Sequence, residues 1–139
     1  MKADNKWSNI VLAVGLVMVL FAAPHLIDDF LFDIPAEFGL TDQTTQVLAA
    51  IFHTQLIVFF VLVARQRRAG YYGMIFWGIF LALAGILKHM PKIIKPEPYW
   101  SGPFSETLII GLIISGILLA VVSVLALRDA KQKERGKQG

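Results

Sequence analysis

The chain has 139 residues, 56% of them hydrophobic, and carries a formal net charge of +3 with no cysteine. This apolar share exceeds that of ordinary soluble domains and points to a membrane protein. The lack of cysteine excludes disulfide exchange, thiolate metal sites and haem attached through thioethers. The excess positive charge flanks apolar runs, where topology and anionic lipid explain it, so we predict no nucleic-acid partner.

Four apolar runs are long enough, or nearly so, to cross a hydrocarbon core of roughly 30 Å, which takes about 20 residues. They cover residues 8–27, 46–64, 71–87 and 107–127. In lipid each span must be helical, because a strand would leave backbone groups unpaired outside a closed barrel. The sequence therefore predicts an all-α protein in which residues 1–139 form one integral membrane four-helix bundle, with a basic tail at 128–139.

The first run has the features of a signal peptide, with Lys2 and Lys6 ahead of the apolar stretch 10–21. Its last small residues, Ala22 and Ala23, are followed directly by a proline, which is unfavourable for a signal peptidase. We therefore expect this first span to be retained.

Polar residues collect where the first run ends. His25, Asp28 and Asp29 stand at spacings of three and four, so they share one helical face if the helix continues past Pro24. The following segment, 30–40, alternates apolar residues with carboxylates and contains both a proline and a glycine. We predict that it forms a loop or short helix at the outer membrane surface, over the mouth of the bundle.

The second span brings a histidine into the membrane. Thr41 suits the N-cap of this helix. Gln46, Ala49 and His53 then follow one face, and His53 lies about 10 Å beyond Gln46 along the axis. This spacing places His53 in the outer half of the membrane, where its imidazole needs a hydrogen-bond partner.

Small residues recur at helical spacing on the third and fourth spans. The third span ends near Lys88, His89 and Pro91, and Pro103 suits the first turn of the fourth. The small stripes are Gly78, Ala82 and Gly85; Gly111 and Ser115; and Gly116, Ala120 and Ser123. They predict close helix packing within one copy or between copies, and so allow a homo-oligomer or a larger membrane complex.

The charged residues divide unequally between the two ends of the spans. The termini and the turn at 65–70 together hold ten basic and three acidic residues, a net +7. The two long loops and the adjoining helix ends hold three basic and seven acidic residues, a net −4. By the positive-inside rule both termini are cytoplasmic and both long loops lie outside. We expect a multi-pass protein of a prokaryotic cytoplasmic membrane.

All three histidines fall on the outer side of the membrane, on three different spans, close to several carboxylates. Ionisable residues within membrane helices are costly and usually face the bundle interior, which marks this group as a functional candidate. Imidazole and carboxylate ligands suit zinc, copper, iron or manganese. The predicted metal ligands are His25, Asp28, Asp29, His53 and Glu106. A haem would instead take two axial ligands from among His53, His25 and His89, with His53 first.

Each of these residues also has a purely structural interpretation. The first-span group would end that helix at the headgroups, and His89, beside Lys88, would be an interfacial residue. Glu106 would interact with the positive end of the fourth helix. His53 would bond to a neighbouring helix.

Four classes of function compete. The sequence favours a small membrane protein with an outward-facing histidine and carboxylate site for a metal or small ligand. A non-catalytic subunit of a larger membrane complex and a single-haem membrane protein are the alternatives. A transporter or channel is disfavoured, because the inner halves of the spans offer few polar side chains, and the sequence leaves open whether the protein is an enzyme.

Overall fold

The structure is a computed structural model that describes residues 6–37, 39–95 and 102–136. Its helices are α1 (Lys6–Leu31), α2 (Ile34–Glu37), α3 (Asp42–Ala64), α4 (Arg68–Ile93) and α5 (Pro103–Arg135). The four longer ones, α1, α3, α4 and α5, are each long and apolar enough to cross a membrane. No strand occurs within the described ranges. The prediction of an all-α chain with four helices of spanning length is confirmed.

Contacts at the two ends of the bundle show how the helices run. Near one end the hydroxyls of Ser8 in α1 and Tyr71 in α4 lie 2.7 Å apart and share a hydrogen bond. At the other end His25 of α1 meets His89 of α4, so these two helices run in the same direction. Helices α3 and α5 run in the opposite direction, because later residues of α4 contact earlier residues of α3 and α5. Helix α5 packs against α1 and α4, and α3 packs against α4 and, less closely, against α1.

The helices extend beyond the apolar runs that predict them. Helix α1 continues through Pro24 to Leu31, and α4 continues through Pro91 to Ile93. A proline removes one backbone hydrogen bond, and neighbouring helices can offset that loss within a bundle. The predicted loop at 30–40 is therefore partly the last turn of α1, followed by the four-residue α2. The basic tail is helical as far as Arg135, and its last three residues lie outside the described ranges.

The interior and exterior of the bundle are both largely apolar. Val11, Met18, Met74 and Leu119 are fully buried between the helices. Large apolar side chains also cover the outside; Leu20, for example, is 70% exposed. Such an exterior is expected of helices that face hydrocarbon, which suits a multi-pass membrane protein.

The small-residue stripes pack against one another inside the chain. A Cβ atom added to Gly78 would lie 2.6 Å from the carbonyl oxygen of Gly116, so α4 and α5 touch backbone to backbone. Gly111 lies against the ring of Phe21 in α1. The predicted close packing is therefore made within one copy. The predicted homo-oligomer or larger complex stays a prediction, and it would have to use other helix faces.

A short segment crosses the polar end of the bundle. Helix α2 packs against both α1 and α3. Its Glu37 accepts a charged hydrogen bond from Lys92 of α4, with 3.1 Å between Nζ and Oε2. The next helix begins with Thr41 as its N-cap, whose hydroxyl accepts from the Thr44 N–H as predicted. The segment between α1 and α3 is thus tied to three helices at this end.

Candidate functional site

The last two turns of α1 carry the group of polar side chains expected from the sequence. Because the helix continues past Pro24, His25 and Asp29 stand one turn apart on the same face. The distance from His25 Nε2 to Asp29 Oδ2 is 3.5 Å. His25 is 8% exposed, whereas Asp29 is half-buried.

The neighbouring carboxylate, Asp28, faces a different partner. It is buried, and its Oδ2 accepts a hydrogen bond from the hydroxyl of Ser105 in the first turn of α5. Ser105 was not among the residues singled out from the sequence. It lies on the buried face of α5 that also carries Ile109 and Leu112, so the helical period of that face could have identified it. Asp28 is thereby held toward α5.

Two histidines from different helices are in direct contact. The rings of His25 and His89 meet edge to face, with centroids 4.9 Å apart and an interplanar angle of 74°. Both residues are buried. The contact joins α1 and α4, which lie across the bundle from each other with α5 packed against both.

The third histidine approaches from α3. The His53 Nδ1–H donates to the carbonyl oxygen of Ala49, one turn earlier, at 2.7 Å. Its ring also packs edge to face on Phe52. With Nδ1 bound to the backbone, Nε2 is the ring nitrogen left to serve a further partner. The predicted face of α3 is confirmed for Ala49 and His53, while Gln46 is exposed.

All three histidines line one cavity of about 240 Å³ between α1, α3, α4 and α5. Asp29 and Lys88 are the charged residues in its lining. The sequence alone indicates Lys88 only as a residue beside His89 at the end of the third span. The apolar part of the wall is formed by Ala22, Leu26, Ala49, Phe52, Leu81, Ala84, Gly85, Ile109 and Leu112. The cavity therefore joins a polar group of side chains to an apolar wall.

Two polar atoms of these lining residues have no partner. His25 Nδ1 and Asp29 Oδ1 are buried and make no hydrogen bond among the residues that the structure describes. A buried polar atom without a partner costs about 1–3 kcal/mol. The site thus has unused hydrogen-bonding capacity beside open volume.

The predicted metal site finds no support in this geometry. Within residues 6–37, 39–95 and 102–136, no three His, Asp or Glu side chains are grouped so that they could hold a metal ion. Asp28 is directed to Ser105, and Glu106 lies in the first turn of α5 outside the cavity wall. Zinc in proteins takes three or four such ligands.

A haem held by two histidines stays a prediction. Axial ligands stand on opposite faces of the macrocycle, but the rings of His25 and His89 already touch. A haem would therefore need His53 and a rearrangement of the other two.

Comparisons with protein families, with curated proteins and with solved structures find no match to this chain. The site is therefore interpreted from its own chemistry.

Proposed function

We propose that this chain is a multi-pass membrane protein that binds a small organic ligand in the cavity between α1, α3, α4 and α5. The observation that carries the proposal is the pair of buried, unpartnered atoms, His25 Nδ1 and Asp29 Oδ1, on residues that line a cavity shared with two further histidines. A ligand that hydrogen-bonds to these atoms removes the cost of leaving them unpaired. Binding is thus stabilised by two polar atoms that the described residues leave unpaired.

The shape of the bundle supports binding rather than passage. The cavity lies at the end that carries His25 and His89. Further along the bundle, the interior is filled by apolar side chains such as Met18, Met74 and Leu119. A transported polar solute or ion needs hydrogen-bonding groups along its whole path. The described residues offer such groups only in isolated places, such as the Ser8 and Tyr71 pair.

The ligand is expected to remain bound when the protein is purified in a mild detergent. Native mass spectrometry should then show a non-covalent adduct of one defined mass, near one copy per chain. His25→Phe and Asp29→Leu should each lose it, because each removes one member of the hydrogen-bonding pair while keeping the side-chain size close. Leu20→Phe, on the exposed face of α1, is the matched control and should retain it.

The same preparations test the metal alternative. If elemental analysis finds near-stoichiometric zinc, copper, iron or manganese, and His25→Phe loses it, the bound species is a metal ion and not an organic ligand. The absence of any adduct in all four proteins would contradict the proposal.

We further propose that both termini are cytoplasmic and that the cavity opens toward the outside. The charge difference between the two ends of the bundle, +7 against −4, supports this orientation. Because the chain has no cysteine, single cysteines report on it without background. Gln43, at the start of α3, and Ala69, at the start of α4, are exposed and lie near opposite ends of the bundle. Replacing either with cysteine does not alter a charge.

In intact bacterial cells, a membrane-impermeant maleimide should label Gln43→Cys. It should label Ala69→Cys only after the membrane is disrupted. The reverse pattern would invert the orientation, and labelling of both in intact cells would contradict a single orientation.

A further inference from the structure

We propose that the ligand is a neutral lipid with a hydroxyl group on its head, with that head at His25 and Asp29 and its chain in a groove between α3 and α4. This inference rests on the proposed function and names the class of ligand. It is carried by an apolar groove that adjoins the polar cavity, and by the charges that line the cavity.

The groove has a volume of about 360 Å³ and is lined almost entirely by apolar residues. It shares Leu26, Ala49, Phe52 and Leu81 with the cavity, so the two volumes adjoin. Its other walls are Thr45, Leu48, Ile51, Trp77 and Phe80. A molecule that occupies both volumes must have one polar end and one apolar end.

The groove exists because α3 packs loosely. Only Leu56 and Val63 are buried among its residues, whereas α4 buries eight. Both buried residues of α3 follow His53, the last residue of this helix that lines the cavity. The first half of α3 therefore leaves space beside Phe52 that a chain can fill.

The charges in the cavity favour a neutral head. The wall contains the carboxyl group of Asp29 and the amino group of Lys88. A charged head of either sign would meet a group of like charge as well as one of opposite charge, and it would also bear the cost of burying a charge in a low dielectric. A hydroxyl group donates to Asp29 Oδ1 and accepts from an imidazole N–H, so it satisfies both kinds of partner without a charge.

The size of the cavity suits a compact head. A cavity of about 150 Å³ in an apolar protein core is large enough to bind benzene. About 240 Å³ therefore accommodates a single substituted ring or a glycerol group. An isoprenoid quinol and a diacylglycerol share the required chemistry, since both join a hydroxyl-bearing head to apolar chains.

The head, rather than the chain, should determine affinity. A lipid chain that moves from the bilayer into the groove exchanges one apolar environment for another, so each methylene adds little. The hydroxyl group instead fills buried hydrogen-bonding sites. Removing it should weaken binding by about tenfold or more, since each 1.4 kcal/mol is a factor of ten.

The test uses Trp77 as a reporter in the groove. The chain has three tryptophans, and Trp7→Phe with Trp100→Phe leaves Trp77 as the only one. This protein is placed in phosphatidylcholine nanodiscs and titrated with 4-(12-bromododecyl)phenol and with 12-bromododecylbenzene, which lacks the hydroxyl. Bromine quenches tryptophan on contact, so quenching reports a chain beside Trp77.

The phenol should quench Trp77 saturably, at a mole fraction in the bilayer about tenfold lower than the benzene requires. His25→Phe and Asp29→Leu should remove this difference, and Leu20→Phe should preserve it. Equal quenching by both probes in the unsubstituted site would overturn the inference. A brominated 1,2-dioctanoylglycerol carries an aliphatic hydroxyl group, whereas the brominated phenol carries a ring hydroxyl group. Stronger quenching by the glycerol would indicate a diacylglycerol as the ligand, and stronger quenching by the phenol would indicate a quinol.

A second readout separates this inference from the proposed function. Unbrominated 4-dodecylphenol should raise the thermal unfolding midpoint of the protein, and His25→Phe should abolish the rise. Stabilisation without quenching of Trp77 would overturn the placement of the chain and leave ligand binding at the head site intact. If neither hydroxyl probe stabilises the protein or quenches Trp77, the inference is overturned. A co-purified adduct would still support the proposed function in that case.

Discussion

Gly78→Ala should destabilise the bundle, by about 1–3 kcal/mol, as overpacking of a tight interior usually does. A Cβ at this position would lie 2.6 Å from the carbonyl oxygen of Gly116 and 3.0 Å from the backbone nitrogen of Ala120. Both neighbours are backbone atoms, so α4 and α5 must separate to admit it. Gly78→Val should cost more than Gly78→Ala, since it adds further atoms at the same contact.

The sign of this effect is the informative part. In a helix interior, alanine is normally more stable than glycine by about 0.5–1 kcal/mol, so a loss on Gly78→Ala reports the helix contact alone. Gly136→Ala, just beyond the end of α5, is the control for a methyl group added without a close contact, because its Cβ would lie 3.7 Å from the nearest atom. The effect is measured by the thermal unfolding midpoints, in one detergent, of the unsubstituted protein, Gly78→Ala, Gly78→Val and Gly136→Ala. An unchanged midpoint for Gly78→Ala would contradict the close approach of α4 and α5.

The pattern of residues predicted the elements well because lipid imposes strong rules. Apolar runs of spanning length must be helices in a membrane, and the stripe from Gly78 to Gly85 predicts a close helix contact on one face. The structure supplies the partner of that stripe, which is Gly116 on α5. The ends of the helices were less predictable, since Pro24 and Pro91 are kept within α1 and α4.

The candidate site was predictable in its members but not in its arrangement. His25 and Asp29 are one turn apart, so their proximity follows from helical geometry alone. The contact between His25 and His89 depends on the order of helices around the bundle, which no periodic pattern in the sequence specifies. For the same reason the sequence groups Asp28 with the predicted metal ligands and gives no sign of its contact with Ser105 on α5.

Ser105→Ala should destabilise this end of the bundle. Ser105 is 1% exposed and Asp28 is 6% exposed, and the serine hydroxyl donates to the aspartate. Removing the hydroxyl takes one donor from a buried carboxyl group, which typically costs about 1–3 kcal/mol. The thermal unfolding midpoint should fall accordingly.

A double-mutant cycle assigns the loss to this pair. Asp28→Leu combined with Ser105→Ala removes both polar groups, and apolar replacement of both partners is far less costly than removal of one. The two substitutions should therefore destabilise less together than the sum of their separate effects. Additive losses would show that the hydroxyl and the carboxyl group do not interact.

Variants of Ser105, the partner of Asp28, and of the neighbouring Asp29 distinguish a residue that stabilises the fold from one that binds the ligand. Asp28 and Ser105 do not line the cavity, whereas Asp29 does. Ser105→Ala should therefore lower the unfolding midpoint but retain the bound adduct, and Asp29→Leu should lose the adduct. Native mass spectrometry at a temperature well below both midpoints makes the comparison. Loss of the adduct in Ser105→Ala would mean that the position of α1 against α5, rather than the side chain of Asp29 alone, determines binding.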